Sequence, residues 1–315
     1  MKFHLNYIPK KNDFEINHKD TILLMGSCFA ENIGTQLINS KFRTCVNPNG
    51  ILFNPTSIYN CIEAAVHKSA TDESFILERN GLYYSYMHHG SFSSENKNQL
   101  LGKLNESVNS THDFIKKTNV LIITFGSAFV YHHKTLNETV ANCHKQASSN
   151  FEKRLLEVDE IVKTYVSLIS EVKVLNPEIK IIFTVSPVKY LKEGVEENNL
   201  SKATLILSIN KLVKENANCF YFPAYELVND DLRDYRFYKE DLAHPNQQAV
   251  DYIWQKFSDC YFSNKTIDLN QQINRLQLAL NHKPMRESSL ELAKWQAFIE
   301  NQKLEIEKLS PDIKF

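Results

Sequence analysis

Residues 120–126 read Val-Leu-Ile-Ile-Thr-Phe-Gly, an almost wholly apolar run that stops at a glycine. A short run of this kind is typical of a strand buried on both faces of a parallel sheet. Residues 21–26, Thr-Ile-Leu-Leu-Met-Gly, repeat the pattern near the N-terminus. Shorter apolar runs predict further strands at 42–46, 179–185 and 219–222.

Helical spacing of apolar residues fills the intervals between these strands. The predicted helices are 30–38, 57–67, 151–175, 200–216 and 245–257. Strand alternating with helix predicts an α/β fold, with a parallel sheet covered by helices on both faces. Ligands of such sheets bind beyond the carboxyl ends of the strands, so the segments that follow the strands are where we expect chemistry.

Two regions interrupt the alternation. Residues 70–118 are predicted to be an insertion, in which Tyr83–His88 forms either a hairpin or an irregular loop. The chain after the last predicted helix is charged and carries leucines at helical spacing. We therefore expect one α/β domain over residues 1–262 and a helical C-terminal extension over 263–315.

Composition excludes several classes of function. The 315 residues include 36 Lys plus Arg and 37 Asp plus Glu, a formal net charge of −1. No broad basic field is therefore available for nucleic acid or a membrane surface. The 8 glycines match neither the dinucleotide nor the P-loop fingerprint. H-E-x-x-H is absent as well, and we predict no metal and no cofactor.

The N-terminus lacks the features of a secretory signal, and the most apolar segment, 120–130, is about half of the ~20 residues that cross a bilayer. We therefore expect a soluble, cytoplasmic protein. Its 6 cysteines are scattered without a C-x-x-C pair, which favours free thiols. The sequence makes no prediction of oligomeric state.

Ser27 follows the first strand directly, at the predicted start of a helix. The free N–H groups and the positive dipole end of the helix would stabilise a developing anion there. Ser27 is thus a candidate nucleophile whose own N–H joins an oxyanion hole. The alternative is a simple N-cap, the commoner use of serine at this position. We expect the side chain of the neighbouring Cys28 to point away into the helix packing.

A candidate base lies late in the chain, in Asp241-Leu242-Ala243-His244-Pro245. A carboxylate three residues before a histidine can reach the imidazole Nδ1 within one loop, which leaves Nε2 to face a nucleophile. His244 would take the nucleophile's proton and later return it to the leaving group. The alternative is an ordinary surface D-x-x-H at a helix start.

Together these segments identify a resemblance to a known family. Gly26-Ser27-Cys28-Phe29-Ala30 is the name-giving motif of the GSCFA family, which is similar to the SGNH (GDSL-like) hydrolases, a group that includes polysaccharide esterases. The resemblance spans roughly residues 20–257, and its other segments are Asn47–Pro55, Val140–Lys145, Thr184–Val188 and Tyr221–Pro245. It implies a flavodoxin-like three-layer sandwich.

The resemblance also implies roles for particular residues. Ser27 matches the SGNH nucleophile, Asp241 and His244 match the D-x-x-H of the last block, and Gly50 matches the second-block glycine whose N–H joins the oxyanion hole. The third block departs from the pattern, because Gly126-Ser127 stands where SGNH enzymes carry an asparagine. Either the Ser127 hydroxyl or an amide from elsewhere replaces that donor; the candidate amides are Asn142 and Asn54.

Other residues are candidate substrate contacts. Besides Asn54 they are His89, which lies on a possible rim of the site, His144, which lies in the polar loop 142–145, and the pair Arg233 and Tyr238. The latter two belong to a run of charged and aromatic residues that would make a carbohydrate-stacking wall. For the polar loop a structural tie to the backbone is the alternative, and for the charged run a surface salt-bridge network is.

The predicted function is therefore that of a serine esterase with a Ser27-His244-Asp241 triad. The resemblance implies a carbohydrate or small-molecule ester as substrate, with an O-acyl group, for example O-acetyl, removed by hydrolysis. Two alternatives stay open. The same machinery would be an O-acyltransferase if a hydroxyl replaced water as acceptor, and the departure in the third block would suit a catalytically inactive binding module.

Overall fold

The computed structural model describes residues 5–281 and 289–315. The strands are β1 Thr21–Gly26, β2 Arg43–Val46, β3 Ile76–Arg79, β4 Leu82–Ser85, β5 Ser93–Ser94, β6 Val120–Phe125, β7 Phe129–His133, β8 Glu138–Val140, β9 Phe151–Leu155, β10 Lys180–Val185 and β11 Cys219–Phe222. The α-helices are α1 Cys28–Asn39, α2 Pro55–His67, α3 Lys97–Ile115, α4 Val158–Leu175, α5 Val195–Glu215, α6 Ala224–Glu226, α7 Gln247–Tyr261, α8 Asn264–Asn281 and α9 Ser289–Leu309.

Five of the strands form one parallel sheet in the order β11-β10-β6-β1-β2. Counted along the chain, that order is 2-1-3-4-5, the flavodoxin-like arrangement. All five were expected from their apolar runs, and the predicted α/β fold with a parallel sheet is confirmed. The carboxyl ends of β1, β6 and β10 lie side by side at one edge, which places the segments that follow them in one region.

The sheet is buried on both faces, which explains its continuous apolar runs. In β1, Ile22 and Leu24 belong to the hydrophobic cluster on one face, with α1 and α7. Leu23 and Met25 belong to the cluster on the other face, with α2, α4 and α5. Successive side chains of a strand point to opposite faces, so a strand between two helical layers needs apolar residues at every position.

The predicted insertion contains a three-stranded antiparallel sheet, β3-β4-β5, followed by α3. Asn80 and Gly81 connect β3 to β4 with φ angles of 51° and 77°. Two central residues with positive φ make the tight turn that suits a twisted hairpin, and Asn-Gly is its commonest sequence. Of the two expected forms, hairpin and irregular loop, the hairpin is confirmed.

The predicted helix over 151–175 is wrong in its first part. Residues 151–155 form β9, which pairs antiparallel with β7 in a second small sheet, and the helix begins only at Val158. The physical reason is that Phe151 and Leu155 are four residues apart. That spacing fits one face of a strand as well as one face of a helix, and pairing with β7 decides between them.

The C-terminal extension is a pair of helices, as expected. Ile273 and Leu276 of α8 pack with Ile299 and Ile306 of α9 in a separate hydrophobic cluster. The pair is joined to the α/β domain through polar contacts, among them the Gln277 Nε2–H that donates to the Asn39 carbonyl oxygen at 2.6 Å. None of the helices described is long and apolar enough to span a bilayer.

Candidate active site

The junction of β1 and α1 is tightly packed against β6. Gly26 has φ 143°, and a Cβ on it would lie 2.3 Å from the Thr124 carbonyl oxygen, so only glycine fits. Ser27 is 0% exposed, and its N–H donates to the same Thr124 oxygen at 3.3 Å. Its Oγ accepts the N–H of Phe29 at 3.3 Å. Ser27 therefore occupies the predicted place and acts there as the N-cap of α1.

Cys28 is the first residue of α1 and is only partly buried. Desolvation and Glu31 raise the pKa of its thiol, whereas the backbone N–H groups of Cys28 and Phe29 and the Lys239 ammonium act to lower it. A Cys28 thiolate would in turn raise the pKa of Lys202 and of Tyr190. The expectation that this side chain points away from the site is wrong, because it lies within electrostatic range of groups at the carboxyl edge.

Asp241 and His244 form a hydrogen-bonded pair within one turn. His244 Nδ1 lies 2.7 Å from Asp241 Oδ2, and Asp241 Oδ1 accepts the N–H groups of Ala243 and His244, both at 2.9 Å. Hydrogen bonds from these two N–H groups, followed by the one from the His244 ring, lower the pKa of Asp241 to about 2. The carboxylate is thus ionised, and a protonated Nδ1 leaves the His244 Nε2 lone pair for another partner.

Backbone contacts connect this turn to the strand ends. The Lys189 N–H, in the segment after β10, donates to the Ala243 carbonyl oxygen at 3.0 Å, and the Lys239 N–H donates to the His244 oxygen at 2.7 Å. Next to Lys189, the Tyr190 hydroxyl packs so closely on Gly126, after β6, that a Cβ there would lie 2.4 Å from it. The turn therefore lies at the same edge as the β1–α1 junction.

The two sides do not yet touch chemically. Among the described residues no hydrogen bond joins His244 Nε2 to Ser27 Oγ or to Cys28 Sγ. The influence of the Lys239 ammonium on Cys28 is the nearest direct link between them. The nucleophile and base assignments therefore stay predictions, since hydrogen bonds of this kind are often loose before substrate binds.

The predicted oxyanion donors have partners in this structure. The Gly50 N–H donates to the Asn47 carbonyl oxygen at 2.8 Å, as the Ser27 N–H does to Thr124. Ser127 Oγ accepts the Phe129 N–H at 3.1 Å, and Asn142 Oδ1 accepts the His144 N–H at 2.8 Å. Each would have to exchange its present partner to bind an oxyanion.

Gly50 also brings one of the candidate substrate contacts to the edge. It has φ 76°, and a Cβ on it would lie 2.4 Å from His89 Cβ, so the backbone at Gly50 packs directly on His89. The His89 ring is held by Ser91, with Nδ1 2.9 Å from Oγ. His89 is thus next to a predicted oxyanion residue, as the rim role requires.

Two other candidates are tied into the structure. Asn54 is buried and caps α2, with Oδ1 accepting the Ser57 N–H at 2.8 Å. His144 is buried with its Nε2 2.8 Å from the Ser85 carbonyl oxygen, and Arg79 donates to the His144 carbonyl at 2.6 Å. These contacts match the structural alternative for loop 142–145. No three His, Cys, Asp or Glu side chains in the described part of the chain are grouped as metal ligands.

Arg233 and Tyr238 line one cleft of about 290 Å³, together with Lys189, Asp230 and Tyr235. The Lys189 ammonium lies 4.4 Å from the centre of the Tyr235 ring and 4.2 Å from that of Tyr238. Because the Lys189 backbone also holds the Asp241–His244 turn, the cleft adjoins the candidate base. The structure therefore brings this predicted pair together beside the site.

Lys202, on α5, is a residue that the sequence reasoning missed. It is 1% exposed, and its Nζ donates to the carbonyl oxygens of Gly126 at 2.6 Å and Ser186 at 2.7 Å, just beyond β6 and β10. Burial lowers the pKa of this lysine to about 7. The signal was present in the sequence, because Lys202 is spaced three and seven residues from Leu205 and Ile209, on the buried face of the helix.

Solved structures similar to this chain include three carbohydrate esterases. A family two carbohydrate esterase from Clostridium thermocellum, in complex with cellohexaose, is 12% identical with a TM-score of 0.39, over 82% of this chain and 66% of that one. An acetyl xylan esterase from Butyrivibrio proteoclasticus is 10% identical with a TM-score of 0.42, over 77% and 63%. A carbohydrate esterase family 3 protein from Talaromyces cellulolyticus is 11% identical with a TM-score of 0.34, over 80% and 98%.

This chain thus spans slightly less than two thirds of the first two esterases. A search of curated proteins gave no match. The profile of the GSCFA family matches residues 21–257, which is most of the sequence and includes the β1–α1 junction, the ends of β6 and β10 and the Asp241–His244 turn. The chain therefore belongs to the GSCFA family.

Proposed function

We propose that this protein is an esterase that cleaves O-acyl esters by nucleophilic catalysis at the carboxyl edge of its sheet. The observation that carries the proposal is the Asp241–His244 pair, in which an ionised carboxylate lies 2.7 Å from the imidazole Nδ1. The same turn is bonded to the segment after β10 and lies next to the β1–α1 junction. A nucleophile, a base and a group that orients the base are the parts that acyl transfer needs.

In the proposed reaction a side chain at the β1–α1 junction gives its proton to His244 Nε2 and attacks the ester carbonyl carbon. The carbonyl electrons move to oxygen, and backbone N–H groups at the start of α1 stabilise the oxyanion. His244 then returns the proton to the leaving alkoxide, and water hydrolyses the acyl-enzyme by the same route in reverse. Ser27 and Cys28 are the two candidates for the attacking residue.

The cleft beside the turn supports a carbohydrate or other polyhydroxylated ester as substrate. Its two tyrosine rings offer apolar faces, and Asp230 and Arg233 offer hydrogen-bonding groups at the rim. A few polar groups around an aromatic surface are the usual composition of a small-molecule site. Removal of an O-acetyl group from a sugar, in the cytoplasm, stays the finer form of this proposal.

Hydrolysis of p-nitrophenyl acetate tests the proposal. We expect His244→Ala to lower kcat/KM by roughly 10³-fold or more, because it removes the general base. His67→Ala is the matched control, since His67 is a surface histidine with Nε2 2.9 Å from Glu171 and lies away from the site. Equal activities of the wild type and His244→Ala would contradict the proposed mechanism.

The acceptor and the inactive alternative are distinguished in the same assay. An added alcohol or sugar that receives the acetyl group in preference to water would identify an acyltransferase. A wild-type protein that neither releases p-nitrophenol nor becomes acylated would instead indicate a binding module, as the missing third-block asparagine and the occupied N–H groups of Ser27 and Gly50 would favour.

A further inference from the structure

We propose that Cys28, and not Ser27, is the nucleophile, so that the acyl-enzyme is a thioester. This inference rests on the esterase proposal above. Its first support is accessibility, because Ser27 is completely buried whereas Cys28 is partly exposed. An attacking atom must reach the carbonyl carbon of a bound ester, and the buried Ser27 Oγ is already the acceptor for the Phe29 N–H.

The backbone at the two positions supports the same assignment. The Ser27 N–H continues the hydrogen bonding of β1 to β6 by donating to Thr124, so it is part of the sheet. In the described part of the chain, no carbonyl oxygen accepts the N–H of Cys28. An oxyanion formed by attack from Cys28 would therefore find an N–H of the nucleophile itself at the positive end of α1.

The charges around the two side chains also favour Cys28. Lys239 and Lys202 are both within electrostatic range of its thiol. Lys239 comes from the segment that carries the base, since its N–H donates to the His244 carbonyl oxygen. Lysines next to a cysteine favour the thiolate, the nucleophilic form. Desolvation and Glu31 oppose them and raise the pKa of the thiol, so a base is needed, and His244 is the available one.

The steps balance without any further reagent. His244 Nε2 takes the Sγ–H proton, the Sγ electron pair forms a bond to the carbonyl carbon, and the carbonyl π electrons move to oxygen. When these electrons return, the bond from carbon to the ester oxygen breaks, and the leaving alkoxide takes the proton from His244 Nε2. Water then adds to the thioester carbon, gives a proton to His244, and expels the Cys28 sulfur, which recovers that proton.

In this arrangement Ser27 is a structural residue. Its hydroxyl caps α1 and its N–H extends the sheet, and both contacts hold the first turn of the helix where Cys28 stands. Loss of an N-cap hydroxyl costs about 1 kcal/mol of stability. Substitution of Ser27 should consequently lower stability more than chemistry.

The test compares Ser27→Ala, Cys28→Ala and Cys28→Ser with the wild type on p-nitrophenyl acetate. Cys45→Ala is the matched control, since Cys45 is another partly buried free cysteine. We expect Cys28→Ala to lose roughly 10³-fold or more in kcat and Ser27→Ala less than about 10-fold. Thermal melting confirms that each variant is folded. If Cys28→Ala fails to fold, Cys28→Ser keeps the size of the side chain and should still lose most of the activity.

Chemical trapping supplies the second measurement. The acetyl group on the quenched wild-type and Ser27→Ala enzymes should be removed by neutral hydroxylamine, which cleaves thioesters and leaves serine esters intact. Iodoacetamide should inactivate both of these proteins. A hydroxylamine-resistant acetyl group on the wild type, together with an active Cys28→Ala and an inactive Ser27→Ala, would overturn this inference and leave the esterase proposal intact. A wild type without turnover and without any acetyl adduct would overturn both.

Discussion

Replacement of Lys202 by methionine should remove a pH dependence of stability that the buried amine confers. Burial lowers the pKa of Lys202 from its ordinary value of 10.5 to about 7 in the folded protein. The two carbonyl oxygens on its Nζ, those of Gly126 and Ser186, match the two N–H donors of a neutral amine. The folded state therefore gives up this proton as pH rises through about 7, while the unfolded chain keeps it.

The sign and size follow from linkage. Between pH 7 and 10.5 the unfolded state binds more protons, so the Lys202 contribution to the free energy of unfolding increases with pH. With a folded pKa of about 7, the increase between pH 6 and pH 8.5 is about 2 kcal/mol. Lys202→Met cannot titrate, so its unfolding free energy should lack this increase, although the variant also leaves two carbonyls without a donor.

Urea unfolding at pH 6 and pH 8.5 measures the effect, because the shift in midpoint multiplied by the m-value gives the free-energy change. The wild type should gain about 2 kcal/mol more than Lys202→Met over this interval. Lys211→Met is the control, since Lys211 lies on the same helix with its Nζ bonded to Asp159 at the surface. Equal pH responses of wild type and Lys202→Met would refute the reasoning, because they would mean that Lys202 is not held as a neutral amine in the folded state.

Three further outcomes are expected. Asp241→Asn should lower kcat for p-nitrophenyl acetate by about 10²- to 10⁴-fold with the melting temperature little changed, because the wrong imidazole tautomer is then held; unchanged turnover would argue against the pair. Gly126→Ala should cost about 1–3 kcal/mol in urea unfolding, since its Cβ would lie 2.4 Å from the Tyr190 hydroxyl, whereas Gly102→Ala, with nothing within 4 Å, should stabilise α3 by about 1 kcal/mol; equal effects would be contrary to this packing. Tyr235→Ala should raise KM for an acetylated xylo-oligosaccharide and leave p-nitrophenyl acetate hydrolysis unchanged, and a parallel loss on both substrates would exclude a role in sugar binding.

The predicted elements show where local pattern is sufficient. Buried strands such as β1 and β6 are recognisable because both faces of the sheet require apolar residues, and that requirement is written in consecutive positions. The Asp241–His244 contact is equally local, because three residues of one turn bring the carboxylate to the imidazole. The helix predicted over 151–175 failed at its start, since only pairing with β7, more than twenty residues away, distinguishes β9 from a helical turn.

The sequence by itself determined the parallel sheet, the edge at which the chemistry is expected and the identity of the acid–imidazole pair, because each depends on neighbouring residues or on a repeating pattern. The tertiary structure alone decided that Ser27 is enclosed by β6 while Cys28 faces Lys202 and Lys239. Burial and electrostatic surroundings depend on what distant segments place around a side chain. Adjacent residues such as Ser27 and Cys28 therefore differ in both properties only after the chain has folded.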